Sequence, residues 1–514
     1  MSLFRSIATV GGFTMLSRVT GLAREMMIAH YMGASWVADA FFVAFRFPNL
    51  FRSLFAEGAF NAAFVPLFAG RLAGDGALAA QMFARQALTG MAVVLALFVA
   101  VMEIAMPWAI YGLAPGFEAV PGKIELAADL ARICFPYLLF ISLTALQAGV
   151  LNSLGRFAAA AGTPVLLNVV GMAGLWALTP LTPTPGHALA WGTFAAGIAQ
   201  FVWLAVAVRR AGMGLAPARP RLTPEIRTLA RRIVPGALGA GIYQVNLLIN
   251  TIIASTVANG AVSYLNYADR INQLPLGVVG VAIGTALLPL LARQIKAGDL
   301  DAARDSQNRA LELGLLLTLP AAAALMCVGA PVVQVLFQRG AFGPAETQAT
   351  AQALSAFAIG LPAFVLVKAL VPAFFAREDT RTPVKVAGLA MILNVVLNLA
   401  LVGPLAHVGM ALATALASWV NAVILVLLLA RRGLFTVDAR LRRRAPRIVL
   451  AAALMAAALL GLHRLLWPLA EGQGLALLVL AALVAAGMLV FALAAQLTGA
   501  VRWAEVRPMM RRRP

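Results

Sequence analysis

Seven basic side chains, Arg18, Arg24, Arg46, Arg52, Arg132, Arg270 and Lys368, lie inside stretches of this chain that otherwise read as membrane-spanning. An Arg at the centre of a bilayer helix costs roughly 2.5–3.5 kcal/mol on insertion scales. Several of them are tolerable only where they turn from lipid toward water, a counter-charge or an anionic guest. That restricts the chain to a helix bundle with a wet or ion-paired interior. It also points to a protein that moves or holds something negative.

The apolar runs recur from end to end. The chain has 514 residues, 62% of them hydrophobic and 12% charged, with a mean hydropathy of +0.88. A soluble domain of this size could not hide so much apolar surface. Taking each run as a span gives fourteen: about 5–31, 36–68, 84–112, 126–152, 158–181, 188–208, 232–256, 261–291, 310–337, 346–376, 383–403, 408–431, 446–466 and 473–498. The first run has Arg18 and Arg24 inside it and no small-x-small cleavage site after it, so it reads as a retained span.

A net charge of +20 could suggest a nucleic-acid partner. Its distribution argues against one. If spans alternate in direction, the side that holds the termini carries thirty of the forty Lys and Arg residues, including Arg209, Arg210, Arg219, Arg221, the cluster Arg440 to Arg444, and Arg511 to Arg513. The opposite connections carry only Lys123, Arg339 and Arg464, and the other seven are the interior set. This is the positive-inside asymmetry, so both termini are expected in the cytoplasm, with some attraction for anionic lipid heads. Cys134 and Cys327 sit far apart in apolar runs and read as free thiols. His30, His187, His407 and His463 fall near outer span ends without metal-ligand spacing, and no GxxxxGK[ST] phosphate loop occurs.

The chain also resembles itself. Pro66-Leu67 recurs as Pro289-Leu290, Thr163-Pro164-Val165 as Thr382-Pro383-Val384, and Leu167-Asn168-Val169-Val170 as Leu393-Asn394-Val395-Val396. Matches in the same order at offsets of 219 to 226 imply two related bundles of six spans, related by an axis along the membrane normal because six is even. The expected organisation is a bundle over 1–212, a basic linker over 213–231, a second bundle over 232–432, a basic loop over 433–445, two additional spans over 446–498 and a basic tail over 499–514. The fold class is therefore an all-α polytopic membrane protein, with two pseudo-symmetric six-helix bundles and two C-terminal helices.

Within this frame, spans one, two and eight carry the charge. Span one reads Ser17-Arg18-Val19-Thr20-Gly21-Leu22-Ala23-Arg24-Glu25; Arg18 and Arg24 diverge by about 120° on a regular helix, so a bend at Gly21 would bring both into one cavity. Span two carries Asp39, Arg46, Arg52 and Glu57, and span eight carries Ser263, Asp269 and Arg270. Asp39 and Arg46 stand about 10 Å apart in rise, so the acids are expected to pair with arginines of span one or span eight. Internal ion pairs would account for some of these residues. The surplus is nevertheless positive, and the planar Arg fork suits phosphate oxygens. Lys368 and Arg132 could equally snorkel or pair locally.

The runs SRVTGLARE, DAFFVAFRFPNLFR and FAEGAFNAAFVP, with Tyr267-Ala268-Asp269-Arg270, Asn250 to Ser255 and Thr382-Pro383-Val384-Lys385, make the whole chain resemble the MurJ (MviN) lipid II flippase family of the multidrug/oligosaccharidyl-lipid/polysaccharide exporter superfamily. The resemblance implies transport rather than catalysis, in peptidoglycan synthesis, cell-wall biogenesis and cell shape. It implies a central cavity in which Arg18, Arg24, Arg52 and Arg270 bind the pyrophosphate of lipid II, with Ser17, Asp39, Arg46, Glu57, Ser263, Asp269 and Lys368 supporting or gating. The last two helices would guide the lipid tails. The alternative is a flippase for another polyprenyl-pyrophosphate-linked oligosaccharide, such as an O-antigen or capsule unit. Some family members have a sodium site in the C-terminal lobe; here spans eleven and twelve supply Asn394, Asn398 and Asn421 but no carboxylate, and no cofactor or metal is expected. The implied partners are lipid II, membrane lipids and cell-wall synthesis proteins, at the bacterial inner membrane.

Overall fold

A bilayer offers no water to unpaired backbone groups, so each apolar run must satisfy its N–H and C=O groups within its own segment, as a helix. The structure, a computed structural model, describes residues 3–53, 59–220 and 223–501. Those residues form fifteen α-helices and no strand. In chain order they are α1 (Leu3–Met32), α2 (Trp36–Arg52), α3 (Ala59–Gly74), α4 (Gly76–Leu113), α5 (Lys123–Cys134), α6 (Tyr137–Ser153), α7 (Phe157–Leu178) and α8 (Pro185–Arg210). There follow α9 (Pro224–Ser255), α10 (Ala261–Lys296), α11 (Leu300–Phe337), α12 (Pro344–Phe375), α13 (Arg381–Arg431), α14 (Ala439–Leu466) and α15 (Gly472–Leu497).

The chain is an all-α, multi-pass membrane protein. Among the described residues, nine helices are long and apolar enough to cross a bilayer, which does not reach the expected fourteen. Part of the difference has physical reasons. Arg18, Arg24 and Glu25 interrupt α1, and Asp39, Arg46 and Arg52 interrupt α2. Moreover, α13 counts once although its 51 residues would extend about 75 Å at 1.5 Å per residue, against a hydrocarbon core of about 30 Å. It turns at Ala406, whose φ of 48° and ψ of −132° are not helical. In α11 the helix is broken at Val328 (φ −123°), three residues before Pro331, whose ring and missing N–H disrupt the preceding turn.

The chain divides into two compact units: Met1–Ser263 with Arg339–Phe342, and Tyr264–Gln338 with Gly343–Pro514. In the first, α7 packs on α1 and α8. Gly174 and Gly192 let α7 and α8 touch backbone to backbone, since a Cβ on Gly174 would lie 2.4 Å from the Gly192 Cα. Phe60, Phe64 and Phe68 stack along one face of α3, with centroids 5.3 and 5.7 Å apart, and Phe83 of α4 joins them at 5.6 Å.

The basic linker joins this unit too. Gln81 Nε2 donates to Gly214 O (2.8 Å), Arg85 Nε to Ala216 O (2.9 Å), and Ala218 N to Thr89 Oγ1 (3.0 Å). Four residues of helix rise about 6 Å, close to the span of two extended residues. A strap with one contact every second residue therefore stays in register along α4. Beyond it Arg71 meets Glu225 at 2.8 Å, tying α3 to the start of α9. The repeat assigns span seven to the second bundle; by packing, α9 sits in the first unit.

In the second unit, Leu287, Leu291, Leu311, Leu370, Phe374, Leu425 and Leu429 build a core among α10, α11, α12 and α13. The two helices outside the repeat lie on α11: Met455 and Leu459 of α14 and Leu483 of α15 cluster with Val328. An acid fastens their base. Glu312 accepts from Arg444 (2.7 Å) and Arg440 (3.2 Å) and pairs with Arg309, which also pairs with Asp438.

The Glu312 and Arg444 side chains are only 9% and 10% exposed. Removing one partner of such a buried pair costs about 3–5 kcal/mol, because the other charge is stranded. Arg440 is 46% exposed and adds little. Glu312→Ala is therefore expected to lower the midpoint of thermal unfolding in detergent by several degrees. Glu312→Gln, which still accepts a hydrogen bond, should lower it less. Equal midpoints for all three proteins would show that this cluster does not anchor α14.

Candidate functional site

The buried centre of the first unit is Asp39, near the start of α2, with no exposed surface. Ser35 caps that helix by accepting from Ala38 N, which places Asp39 in its first turn. A carboxylate without water needs its acceptor sites filled. Asp39 Oδ1 accepts from Ser263 N (3.0 Å) and Ser263 Oγ (2.7 Å), and Oδ2 accepts from Gly260 N (2.7 Å) and Lys123 Nζ (2.9 Å). Two of the predicted residues, Asp39 and Ser263, are thus brought into direct contact.

The expected arginine partner for Asp39 is replaced by Lys123. This residue, assigned from sequence to a connection, opens α5 and is 2% exposed. Its Nζ also donates to Asn259 Oδ1 at 2.8 Å and lies 4.1 Å from the centre of the Phe117 ring. A cation at a helix N-terminus opposes the helix dipole by roughly 0.3–1 kcal/mol, so α5 alone does not favour a lysine there; Asp39 does. Close backbone approach completes the cluster. Gly116 N donates to Ser255 Oγ at 3.3 Å, and a Cβ on Gly116 would lie 2.3 Å from Ser255 O. Nearby, Gly33 (φ 59°) lies against the 339–342 segment, where Ala341 N donates to His30 O at 2.9 Å.

On α1 the helix continues through Gly21 without a break. Asn168 of α7 lies beside it: its Nδ2 would be 3.4 Å from a Cβ at Gly21, an ordinary van der Waals contact. Asn168, 6% exposed, donates to Ser17 O (3.0 Å) and Thr20 Oγ1 (3.1 Å). The helix that carries Arg18 and Arg24 is therefore positioned by a side-chain amide. Arg18 is half-buried. Arg24 is 12% exposed, meets its neighbour Glu25 at 3.1 Å, and leaves its Nε buried without a hydrogen-bond partner. Sequence reasoning missed Lys123, Asn259, Asn168 and the role of Glu25.

The remaining candidates lie on several helices. Arg46 is half-buried on α2, and Arg52 Nε donates to Asn49 Oδ1 at 3.2 Å. Glu57 lies outside the described residues. In the second unit, Asp269 accepts from Gln273, Arg270 is exposed on α10, and Lys368 of α12 lies against Gly280, where a Cβ would come within 2.7 Å of its Cδ. Arg132 is a local pair: it donates to Glu103 O (3.1 Å) and lies 3.7 Å from Asp129. No group of three or more His, Cys, Asp or Glu side chains gathers among the described residues.

Comparison with known proteins decides the family. A family profile described as "Lipid II flippase MurJ" matches residues 28–494. The chain belongs to the MurJ family. A Rhizobium meliloti (strain 1021) relative, "Probable lipid II flippase MurJ", is 48% identical over 498 residues, covering 96% of this chain and 93% of its own. A Burkholderia cenocepacia relative, "Lipid II flippase MurJ", is 39% identical over 443 residues, 85% of each chain. In fold, the chain is similar to "Lipid II flippase MurJ, inward closed conformation" (TM-score 0.80, 23% identity, 98% of this chain and 99% of that one). It is also similar to an inward-facing multidrug resistance MATE family transporter of the MOP superfamily (TM-score 0.67, 14% identity, 81% and 94%). MurJ proteins are transporters, not enzymes.

The contrast between Gly21 and Asn168 is testable in this MurJ-family chain. Asn168→Ala removes two hydrogen bonds from a buried position and is expected to cost about 1–3 kcal/mol, seen as a lower unfolding temperature. Gly21→Ala meets only ordinary van der Waals contact and should change it little. A large loss for Gly21→Ala, with Asn168→Ala silent, would show that the amide does not position α1.

Proposed function

We propose that this chain is a lipid II flippase: it carries the undecaprenyl-pyrophosphate-linked disaccharide-pentapeptide from the inner to the outer leaflet of the cytoplasmic membrane by alternating access. The observation that carries the reading is family membership with identity near one half over almost the full chain. The distribution of Lys and Arg supports cytoplasmic termini, which puts the Asp39–Lys123 cluster toward the outer face.

The pyrophosphate, with a charge of about −2, meets Arg18, Arg24, Arg52 and Arg270 in changing combinations. Guanidinium groups suit this because their donors form a planar fork matched to phosphate oxygens. Arg24 supports the assignment: a buried Nε without an acceptor is costly by about 1–3 kcal/mol, so this side chain gains when an anion arrives. The prenyl tails stay in lipid along α14 and α15. Exporting one negative charge down an inside-negative potential gains about 2.3 kcal/mol per 100 mV, which would assist outward movement of the head group. In the resting chain, the Asp39 cluster keeps the outer side closed.

Arg24→Ala and Arg270→Ala are expected to abolish flipping while the protein still reaches the membrane, read by accessibility of lipid II at the outer face of cells. Full activity of both variants would remove the arginines from the mechanism. Depleting the protein in its host should make lipid II accumulate on the inner leaflet. Accumulation of a different polyprenyl-linked sugar would instead assign the chain an O-antigen or capsule substrate.

A further inference from the structure

Lys123 is a buried cation that the arginine mechanism does not use. We infer that Lys123 is a positioning residue for the outer closure: it neutralises Asp39 and joins the start of α5 to the 259–263 turn, so that this cluster opens and closes as one unit. The inference rests on the flippase reading only for what the closure serves.

The donors and acceptors show why the cluster acts as a whole. Asp39 takes four hydrogen bonds, two from Ser263, one from Gly260 N and one from Lys123. Lys123 Nζ divides its donors between Asp39 Oδ2 and Asn259 Oδ1 and places its charge over the Phe117 ring. With Asp39 0% and Lys123 2% exposed, no member can leave without stranding another in a dry site. The same residues come from α2, α5 and residues 259–263, the turn that leads into α10 with that helix's first residues, so moving that segment by one hydrogen-bond length breaks contacts to both other elements. A lysine suits the role better than an arginine. Its compact ammonium fits among two oxygens and a ring, whereas a guanidinium would need five acceptors. Of its partners only Asn259 is exposed, so the opening begins where water can reach.

The test uses the full-length protein with Cys134 and Cys327 replaced by Ala and a reporter cysteine at Val262, which is 3% exposed. Cells are treated with a membrane-impermeant thiol reagent, and parallel permeabilised membranes check sidedness. Lys123→Met should raise the labelling rate at least about tenfold, the factor carried by 1.4 kcal/mol. Asn259→Ala, an exposed substitution that leaves the ion pair in place, should raise it about threefold. The decisive arm is the double variant Lys123→Met with Asp39→Asn. With neither charge left unpaired, its labelling should return to within about threefold of the parent, a non-additivity expected of directly interacting residues. Recovery shows that the two residues act through each other, and an unchanged midpoint of thermal unfolding in Asn259→Ala separates opening of the cluster from loss of the fold. Lys123→Met labelling at the parent rate, or the two single effects multiplying in the double variant, would overturn the inference. Should Lys123→Met fail to accumulate, the double variant and Asn259→Ala still decide it. Labelling is read without any lipid substrate, so a wrong substrate assignment leaves the result standing. Labelling that requires permeabilised membranes would likewise overturn the inference, because the cluster would then not face the outer side.

Discussion

The organising constraint is that an ionised side chain withdrawn from water must find its partners inside the protein. This chain solves the problem in two ways. Some charges avoid it by staying partly exposed and pairing within a helical turn, as Arg132 does with Asp129. Such pairs ask little of the fold. Asp39 and Lys123 pair across 84 positions of sequence, and that pair forms only when α2, α5 and the turn at 259–263 are all in place. The first kind is architecture. The second makes the positions of three elements conditional on one another.

Much of this was legible in the chain. Long apolar runs can only become helices in a bilayer, so the all-α class followed directly. Charges within those runs marked α1, α2 and α10 as the unusual helices, and Asp39 and Ser263 do meet. The failures are equally instructive. Lys123 reads as a loop residue because hydropathy assigns it to a connection, yet the connection folds inward. Its only local signal is a lysine just after Gly122, whose φ of 80° starts a helix, a place that disfavours a cation. Asn168 reads only as part of a repeat, because nothing in the sequence shows that its amide reaches Ser17 and Thr20 on α1. Glu312 escaped attention because it stands at the margin of a span, where an acid seems solvated until Arg444 is brought to it.

The repeat teaches a related lesson. Asn168 and its counterpart Asn394 are both buried, and both donate to a neighbouring helix segment, Asn394 reaching Thr414 Oγ1 at 3.3 Å. Internal similarity therefore reports conserved local packing within each copy. It does not report which helices travel together. The strap from Gly214 to Ala218 lies along α4, and Glu225 holds Arg71, so α9 is secured to the first unit at the end where the linker delivers it. Connection, not ancestry, sets that allegiance.

Burial alone does not separate a structural arginine from a functional one. Arg24 and Arg444 are almost equally withdrawn, at 12% and 10% exposure. Arg444 sits among helices that supply Glu312 from a different element at 2.7 Å. Arg24 has Glu25, its own neighbour in sequence, and a buried Nε with no acceptor. A pair between adjacent residues ties no two helices together, so the fold gains little from Arg24 and leaves part of its donor set unused. Spare donors alone are no mark of function either, since Arg309 in the Glu312 cluster also leaves its Nε buried without a hydrogen-bond partner. A cation retained with spare donors in a low-dielectric site makes sense when a ligand brings the missing acceptors, and the gain then goes into binding. What separates Arg24 from Arg309 is the share of the fold each holds: Arg309 also joins Asp438 on another element, whereas Arg24 is paired with its own neighbour.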